Sequence, residues 1–224
     1  KYKTNAIIFI TTNFIGNNET PWWELLWDIL QNKDDFIFEG EKINLLKNKK
    51  NKKKIFEYLK NKFFFLKKKE QIELIKKIFH ENKTEFSFKI KSNFLNNENI
   101  RNLSKEDLIH IGAHTHNHQN LGLLNDSETK EEILSSKKIL EDLTQNSVDF
   151  FAYPYGTKNS YKKMDYKILK DNNFKLAFTT EFNNYKIGSH SPFFIPRMGL
   201  GNYNDDKSIR DKVIGLDSLI KKIY

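Results

Sequence analysis

Hydrophobic positions along the chain form two patterns: short continuous runs, and longer stretches in which apolar residues recur every three or four positions. The run over 5–12 is β-branched and aromatic, which is typical of a strand buried on both faces of a parallel sheet. Four more runs predict strands at 108–112, 148–153, 176–180 and 193–195. Strands that alternate with helical stretches predict an α/β fold with a largely parallel sheet.

Helical periodicity fills most of the intervals between these strands. It predicts helices at 22–30, twice within 47–80, and at 125–145, 165–171 and 209–220. Ser104 and Asp107 fit a capping box that would start a short helix before the strand at 108–112. We expect a single domain over residues 1–224, with a helical insertion at about 22–103.

Composition limits the class of protein. A chain of 224 residues with 38% hydrophobic and 14% aromatic residues has enough apolar surface for one large core, which excludes a disordered or fibrous chain. No apolar run approaches the ~18 residues of a membrane-spanning helix, so no membrane span is predicted. The absence of Cys excludes disulfides, thiol nucleophiles and thiolate metal sites.

The net charge of +9 comes from 38 basic and 29 acidic residues, and the basic residues are almost all Lys. A solvated Lys-rich surface explains this excess best, so no nucleic-acid partner is expected. A polyanion-binding surface around the Lys-rich stretch 47–54 stays open as an alternative. Neither the charge nor the hydrophobic pattern of the sequence predicts an oligomeric state.

Four of the six histidines lie within nine residues, one inside the predicted strand at 108–112 and three directly after it. The carboxyl end of a strand is where α/β folds place their sites, so this cluster predicts a metal site that suits Zn²⁺. His114 and His118 would share one face of a helical turn, whereas His114 and His116 would suit an extended segment. Spacing alone does not choose between these pairs. Thr115 excludes the zinc-peptidase motif, which needs Glu after its first histidine.

The sequence Gly112-Ala-His-Thr-His-Asn-His118, followed by Phe151-Ala-Tyr-Pro-Tyr-Gly156, resembles the polysaccharide deacetylase family, carbohydrate esterase family 4. Similarity extends to the run 6–16, to Trp22-Trp23 and to Phe194-Ile-Pro-Arg197. The resemblance implies a distorted (β/α) barrel. It implies that His114 and His118 bind a divalent metal ion, with Zn²⁺ expected, and that Thr115 orients them.

The same resemblance assigns further roles. The backbone N–H of Tyr155 would stabilise the oxyanion, and His190 would be the general acid. Tyr153, Pro154 and Arg197 would bind the substrate, an N-acetylated oligo- or polysaccharide. The implied reaction is metal-dependent hydrolysis of N-acetyl groups on a carbohydrate, at carbon–nitrogen bonds other than peptide bonds, or of O-acetyl groups.

The family's first-strand motif, Thr-Phe-Asp-Asp, supplies a third metal ligand and the catalytic base, and it is not found in this sequence. We expect it upstream of Lys1, on a first strand that the chain lacks, so the chain would be N-terminally truncated. The acidic pairs at 34–35 and 205–206 lie in polar contexts and are poor substitutes. Ala152 stands where many members carry Arg. A catalytically incomplete metal- or glycan-binding remnant is therefore the alternative function.

Overall fold

Short apolar strands and amphipathic helices alternate in the computed structural model, which describes residues 3–45, 49–87, 94–181, 188 and 191–199. The strands are β1 (Ala6–Ile10), β2 (Asp35–Phe38), β3 (Glu41–Asn44), β4 (Ile109–Ala113), β5 (Phe150–Ala152) and β6 (Leu176–Phe178). The helices are α1 (Trp22–Asn32), α2 (Lys49–Phe64), α3 (Lys68–Glu81), α4 (Asn97–Leu103), α5 (Asp126–Thr144) and α6 (Asp165–Asp171). Two 3-10 segments lie at Thr12–Asn17 and Leu121–Leu123.

Four strands form a parallel sheet in the order β1-β4-β5-β6. Ala6 pairs with Ile109 and Ile10 with Ala113, so β1 and β4 are in register along their whole length. Ala113 in turn pairs with Phe151 of β5. The predicted α/β fold with a parallel sheet is confirmed. Because parallel strands share one carboxyl edge, the segments that follow β4 and β5 meet there.

Two hydrophobic cores are found among the described residues. The first lies between the sheet and helices α4, α5 and α6, with Ile111, Phe151 and Leu140 at its centre. The second lies among α1, α2, α3 and the β2–β3 hairpin, where the ring of Trp22 stacks on that of Phe63 at 4.1 Å. Helices are thus confirmed between residues 22 and 103. That they form an insertion within a single domain stays a prediction.

Two local predictions are wrong, and one element was not predicted. That element is the β2–β3 hairpin, whose turn places Glu39 at φ 53° and Gly40 at φ 82°. Ser104 does not start a helix; it ends α4, which Asn96 caps by accepting a hydrogen bond from the Asn99 N–H. The strand predicted at 193–195 is reduced to one parallel bridge, between Ile195 and Phe178.

Other predictions fall outside the described residues, namely the helix at 209–220, the acidic pair at 205–206 and His190. Within the described part of the chain, no helix is both long and apolar enough to cross a bilayer.

Gly112 provides a test of the pairing between β1 and β4. A Cβ at this position would lie 2.6 Å from Cδ1 of Phe9, its partner across the two strands. We expect Gly112→Ala to destabilise the protein by about 1–3 kcal/mol, the usual cost of overpacking, and to lower the melting temperature by several degrees. Gly199→Ala, where a Cβ meets open space, is the control. Equal melting temperatures for the two variants would contradict the register in which Gly112 of β4 pairs with Phe9 of β1.

Candidate functional site

The loop that follows β4 brings two histidines together. Thr115 and His118 both adopt left-handed backbone conformations, at φ 63° and 57°. The Thr115 hydroxyl accepts a hydrogen bond of 2.9 Å from the His118 N–H, which closes the loop locally. As a result the imidazole centroids of His114 and His118 lie 4.8 Å apart, with the rings nearly perpendicular.

The neighbouring strand fixes the tautomer of His114. Its Nδ1–H donates a hydrogen bond of 2.7 Å to the backbone carbonyl of Ala152, the last residue of β5. With the proton on Nδ1, the lone pair lies on Nε2, which is the arrangement usual for a metal-binding histidine. The site therefore uses the adjacency of the carboxyl ends of β4 and β5.

The ring of His118 is enclosed by aromatic side chains. The rings of Trp23 and Tyr155 lie 4.9 and 5.1 Å from it. Its Nδ1 is buried and has no hydrogen-bond partner among the residues described. A buried polar atom left in this state costs about 1–3 kcal/mol, which a bound cation or an ordered water would offset.

Both imidazoles are held in their neutral form. Burial, together with the nearby guanidinium of Arg197, lowers the pKa of His114 to about 4. Burial and the adjacent His114 lower the pKa of His118 well below its usual value. Neutral imidazole is the form that binds metal ions. The two side chains therefore fit a divalent cation in both position and protonation state.

His116 is held apart from this pair. Its Nδ1 forms a hydrogen bond of 2.8 Å with the Thr12 hydroxyl, in the 3-10 segment that follows β1. Within the described residues no group of three or more His, Asp or Glu side chains is arranged to hold a metal ion. The geometry thus favours a two-histidine set of His114 and His118 over a pairing that includes His116.

The turn after β5 faces the same histidines. Tyr155 takes a left-handed conformation at φ 61°, and its carbonyl accepts a hydrogen bond of 2.6 Å from the Thr180 hydroxyl. Gly156 follows at φ 66°, and a Cβ there would lie 2.5 Å from the Thr180 nitrogen, so only glycine fits. The Tyr155 ring lies between those of His118 and Phe64, 5.1 Å from each.

The remaining predicted site residues lie at varying distances from this centre. Arg197 is near it: its Nε donates to the Thr179 carbonyl and its guanidinium lies 5.4 Å from the Phe9 ring. Pro154 is buried in the turn. Tyr153 is fully buried in the first core, 4.5 Å from the ring of Tyr161, which is the position of a packing residue. As a substrate contact it stays a prediction.

A groove of about 270 Å³ runs beside the histidines. Ile8, Phe9 and Ile10 all line it, as do His114 and His118. Side chains of consecutive residues point to opposite faces of a strand, so a groove lined by all three follows the strand's edge. In the described sheet β1 is an edge strand, and the groove lies along its open side.

Sequence reasoning missed several residues that shape the site. Trp23 lies in a segment covered by the family resemblance, which assigns it no role, and it contacts His118. Ala152 contributes its backbone carbonyl oxygen, which every residue has. The residue type at this position therefore does not indicate its role in the site. Thr12, which contacts His116, and Glu132, which contacts the histidine loop, come from elements distant in sequence. Only a pattern of contacts in three dimensions identifies them.

The lowered pKa values predict a pH-dependent stability for the metal-free protein. An imidazole whose pKa is lower in the folded state contributes stability above about pH 6.5, which is lost as the pH falls towards 4. We expect the free energy of unfolding to drop by roughly 1–3 kcal/mol over this window. Urea titrations at several pH values in the presence of a chelator measure it. His114→Asn should make the free energy of unfolding depend less on pH. The control His110→Asn, at the opposite end of β4, should leave the dependence on pH unchanged.

Comparison with known proteins gives the family. A sequence model described as polysaccharide deacetylase matches residues 1–177. No curated protein matches the sequence.

Three solved structures that resemble this chain at low sequence identity are described as deacetylases. A Bacillus anthracis protein described as a polysaccharide deacetylase is 18% identical over 55% of this chain, with a TM-score of 0.48. A Streptococcus pyogenes deacetylase in complex with acetate is 19% identical over 55%, with a TM-score of 0.49. A polysaccharide deacetylase from Bacillus cereus is 15% identical over 66%, with a TM-score of 0.48.

These matches cover 38%, 52% and 48% of the three solved chains, so the present chain spans about half of each or less. The match to the family's sequence model extends over most of the chain and includes both the histidine loop and the turn after β5. The chain belongs to the polysaccharide deacetylase family.

Proposed function

We propose that this protein takes part in metal-dependent hydrolysis of acetyl groups on an N-acetylated oligo- or polysaccharide. The observation that supports this most is the buried pair of neutral imidazoles, His114 and His118, beside the turn that carries Tyr155. Membership of the family supports the reaction class. The substrate would be an acetamide, or an acetate ester, on a sugar.

In this proposal His114 and His118 bind the cation, with Zn²⁺ as the expected ion because imidazole nitrogen suits it. The Ala152 carbonyl keeps the Nδ1 proton of His114 in place, so that Nε2 is free to bind. When bound, a divalent cation polarises the acetyl carbonyl and lowers the pKa of the attacking water.

The oxyanion of the tetrahedral intermediate needs a hydrogen-bond donor. We assign this role to the backbone N–H of Tyr155, which has no acceptor among the described residues. The hydrogen bond from the Thr180 hydroxyl to the Tyr155 carbonyl and the close fit of Gly156 against Thr180 restrain the turn on the carboxyl side of this N–H. Arg197 and Pro154 would position the sugar, and His190 would be the general acid.

A third ligand and a catalytic base complete the proposal. A strand that carried the acidic motif would find a place to pair along the groove at the open edge of β1. Aspartates on that strand would lie along the groove that His114 and His118 line. An oxygen ligand together with two imidazoles is a common donor set for a catalytic zinc site.

Acetate release tests the proposed reaction. When a strand that carries the acidic motif is present on the chain, incubation with N-acetylglucosamine oligomers and Zn²⁺ should release acetate, and a chelator should abolish the release. An enzymatic acetate assay measures it, and the same oligomers without protein are the blank. Oligomers that bind without any release of acetate would favour the glycan-binding alternative. Binding of a polyanion that weakens steeply as the salt concentration rises would favour the polyanion-binding alternative.

Zinc affinity tests the ligand pair. His114→Ala and His118→Ala should each lower the affinity by more than about a hundredfold, because the loss of a ligand exceeds the 10–100-fold effect of losing a supporting hydrogen bond. His116→Ala should leave the affinity nearly unchanged, since its Nδ1 faces Thr12. Isothermal titration calorimetry measures all three. A large loss for His116→Ala with no loss for His118→Ala would contradict the assignment.

A further inference from the structure

Glu132 is a buried carboxylate in the second turn of α5, with 5% of its surface exposed. The family resemblance assigns it no role, and it lies well outside the histidine motif in sequence. Its charge is not offset by a cation within the described residues: its side-chain contacts are all to amides of the loop after β4. A buried carboxylate without a cation needs several hydrogen bonds to be stable, so its surroundings are informative.

Three hydrogen bonds join the Glu132 carboxylate to two residues that flank His118. Oε2 accepts from the backbone N–H of Asn117 at 2.8 Å. Oε1 accepts from the side-chain amides of Asn117 at 2.7 Å and Gln119 at 2.9 Å. The backbone carbonyl of Glu132 also accepts from the His116 N–H, at 3.0 Å. One helical residue thus holds the loop on both sides of His118.

The loop needs such support because its backbone is strained. The left-handed region is energetically unfavourable for residues other than glycine, and the loop contains two such residues, Thr115 and His118. Asn117, between them, is held from the opposite side as well, since its Oδ1 accepts from the Asn13 amide at 2.9 Å. Asn117 is therefore clamped between Glu132 and the segment after β1.

We propose that Glu132 is a positioning residue, which fixes the orientation of the His118 imidazole by holding the amides of Asn117 and Gln119. The inference rests on the proposed function, in which His118 is a metal ligand. A carboxylate suits this task because it only accepts hydrogen bonds, and every neighbouring group donates. A Gln at this position would point an NH₂ group at one of those donors and would disrupt the loop without changing the size of the side chain.

Glu132→Gln tests this inference, with Glu131→Gln on the exposed face of the same helix as the matched control. In metal-free protein we expect Glu132→Gln to shift the NMR signals of the Asn117 amide and the His118 ring, and to lower zinc affinity about 10–100-fold. Glu131→Gln should change neither. A purely structural role would lower the melting temperature and leave the zinc affinity of the folded protein intact.

The outcomes separate this inference from the proposed function. Zinc affinity equal in the two variants overturns the positioning role. If the wild-type protein binds no zinc, the proposed function fails, and the His118 ring signals alone then decide whether Glu132 orients the side chain. If Glu132→Gln does not fold, Asn117→Ala removes only the side-chain part of the clamp. It should still shift the His118 signals, and unchanged signals would overturn the inference.

Discussion

The hydrogen bond from His114 Nδ1 to the Ala152 carbonyl is the interaction on which the candidate site depends. It joins the carboxyl ends of two adjacent parallel strands, and it forms only if β4 and β5 pair in the observed register. A shift of one residue would turn the His114 side chain to the opposite face of the sheet. The same bond fixes the tautomer, and so decides which ring nitrogen is free to act as a ligand.

The second histidine depends on parts of the chain that are far apart in sequence. Trp23 comes from α1, Tyr155 from the turn after β5, and Glu132 reaches the loop from α5. Aromatic rings around His118 exclude water and keep the imidazole neutral, while the strained loop backbone needs hydrogen bonds from outside. Helix α1 therefore forms part of the site wall, although its main packing lies in the second core.

The sequence predicts those features that leave a local pattern. Strands β1, β5 and β6 consist of apolar residues and β4 is apolar apart from His110, so each stands out as a short run. The His114 and Tyr155 motifs are recognisable because their residues are close together in sequence. The hairpin turn at Glu39-Gly40 was missed because it lacks the Asn-Gly or Asp-Gly signal. Glu132 looks like any other helical glutamate, and the Ala152 carbonyl has no counterpart in a side-chain pattern.

The most direct measurement of the central claim is the location of zinc in a crystal of the protein. Anomalous diffraction at the zinc edge should give a peak about 2.0–2.1 Å from an imidazole nitrogen of both His114 and His118, with Nε2 as the ligand atom of His114. A zinc peak on His116 or His110, with His114 and His118 free of metal, would contradict the account.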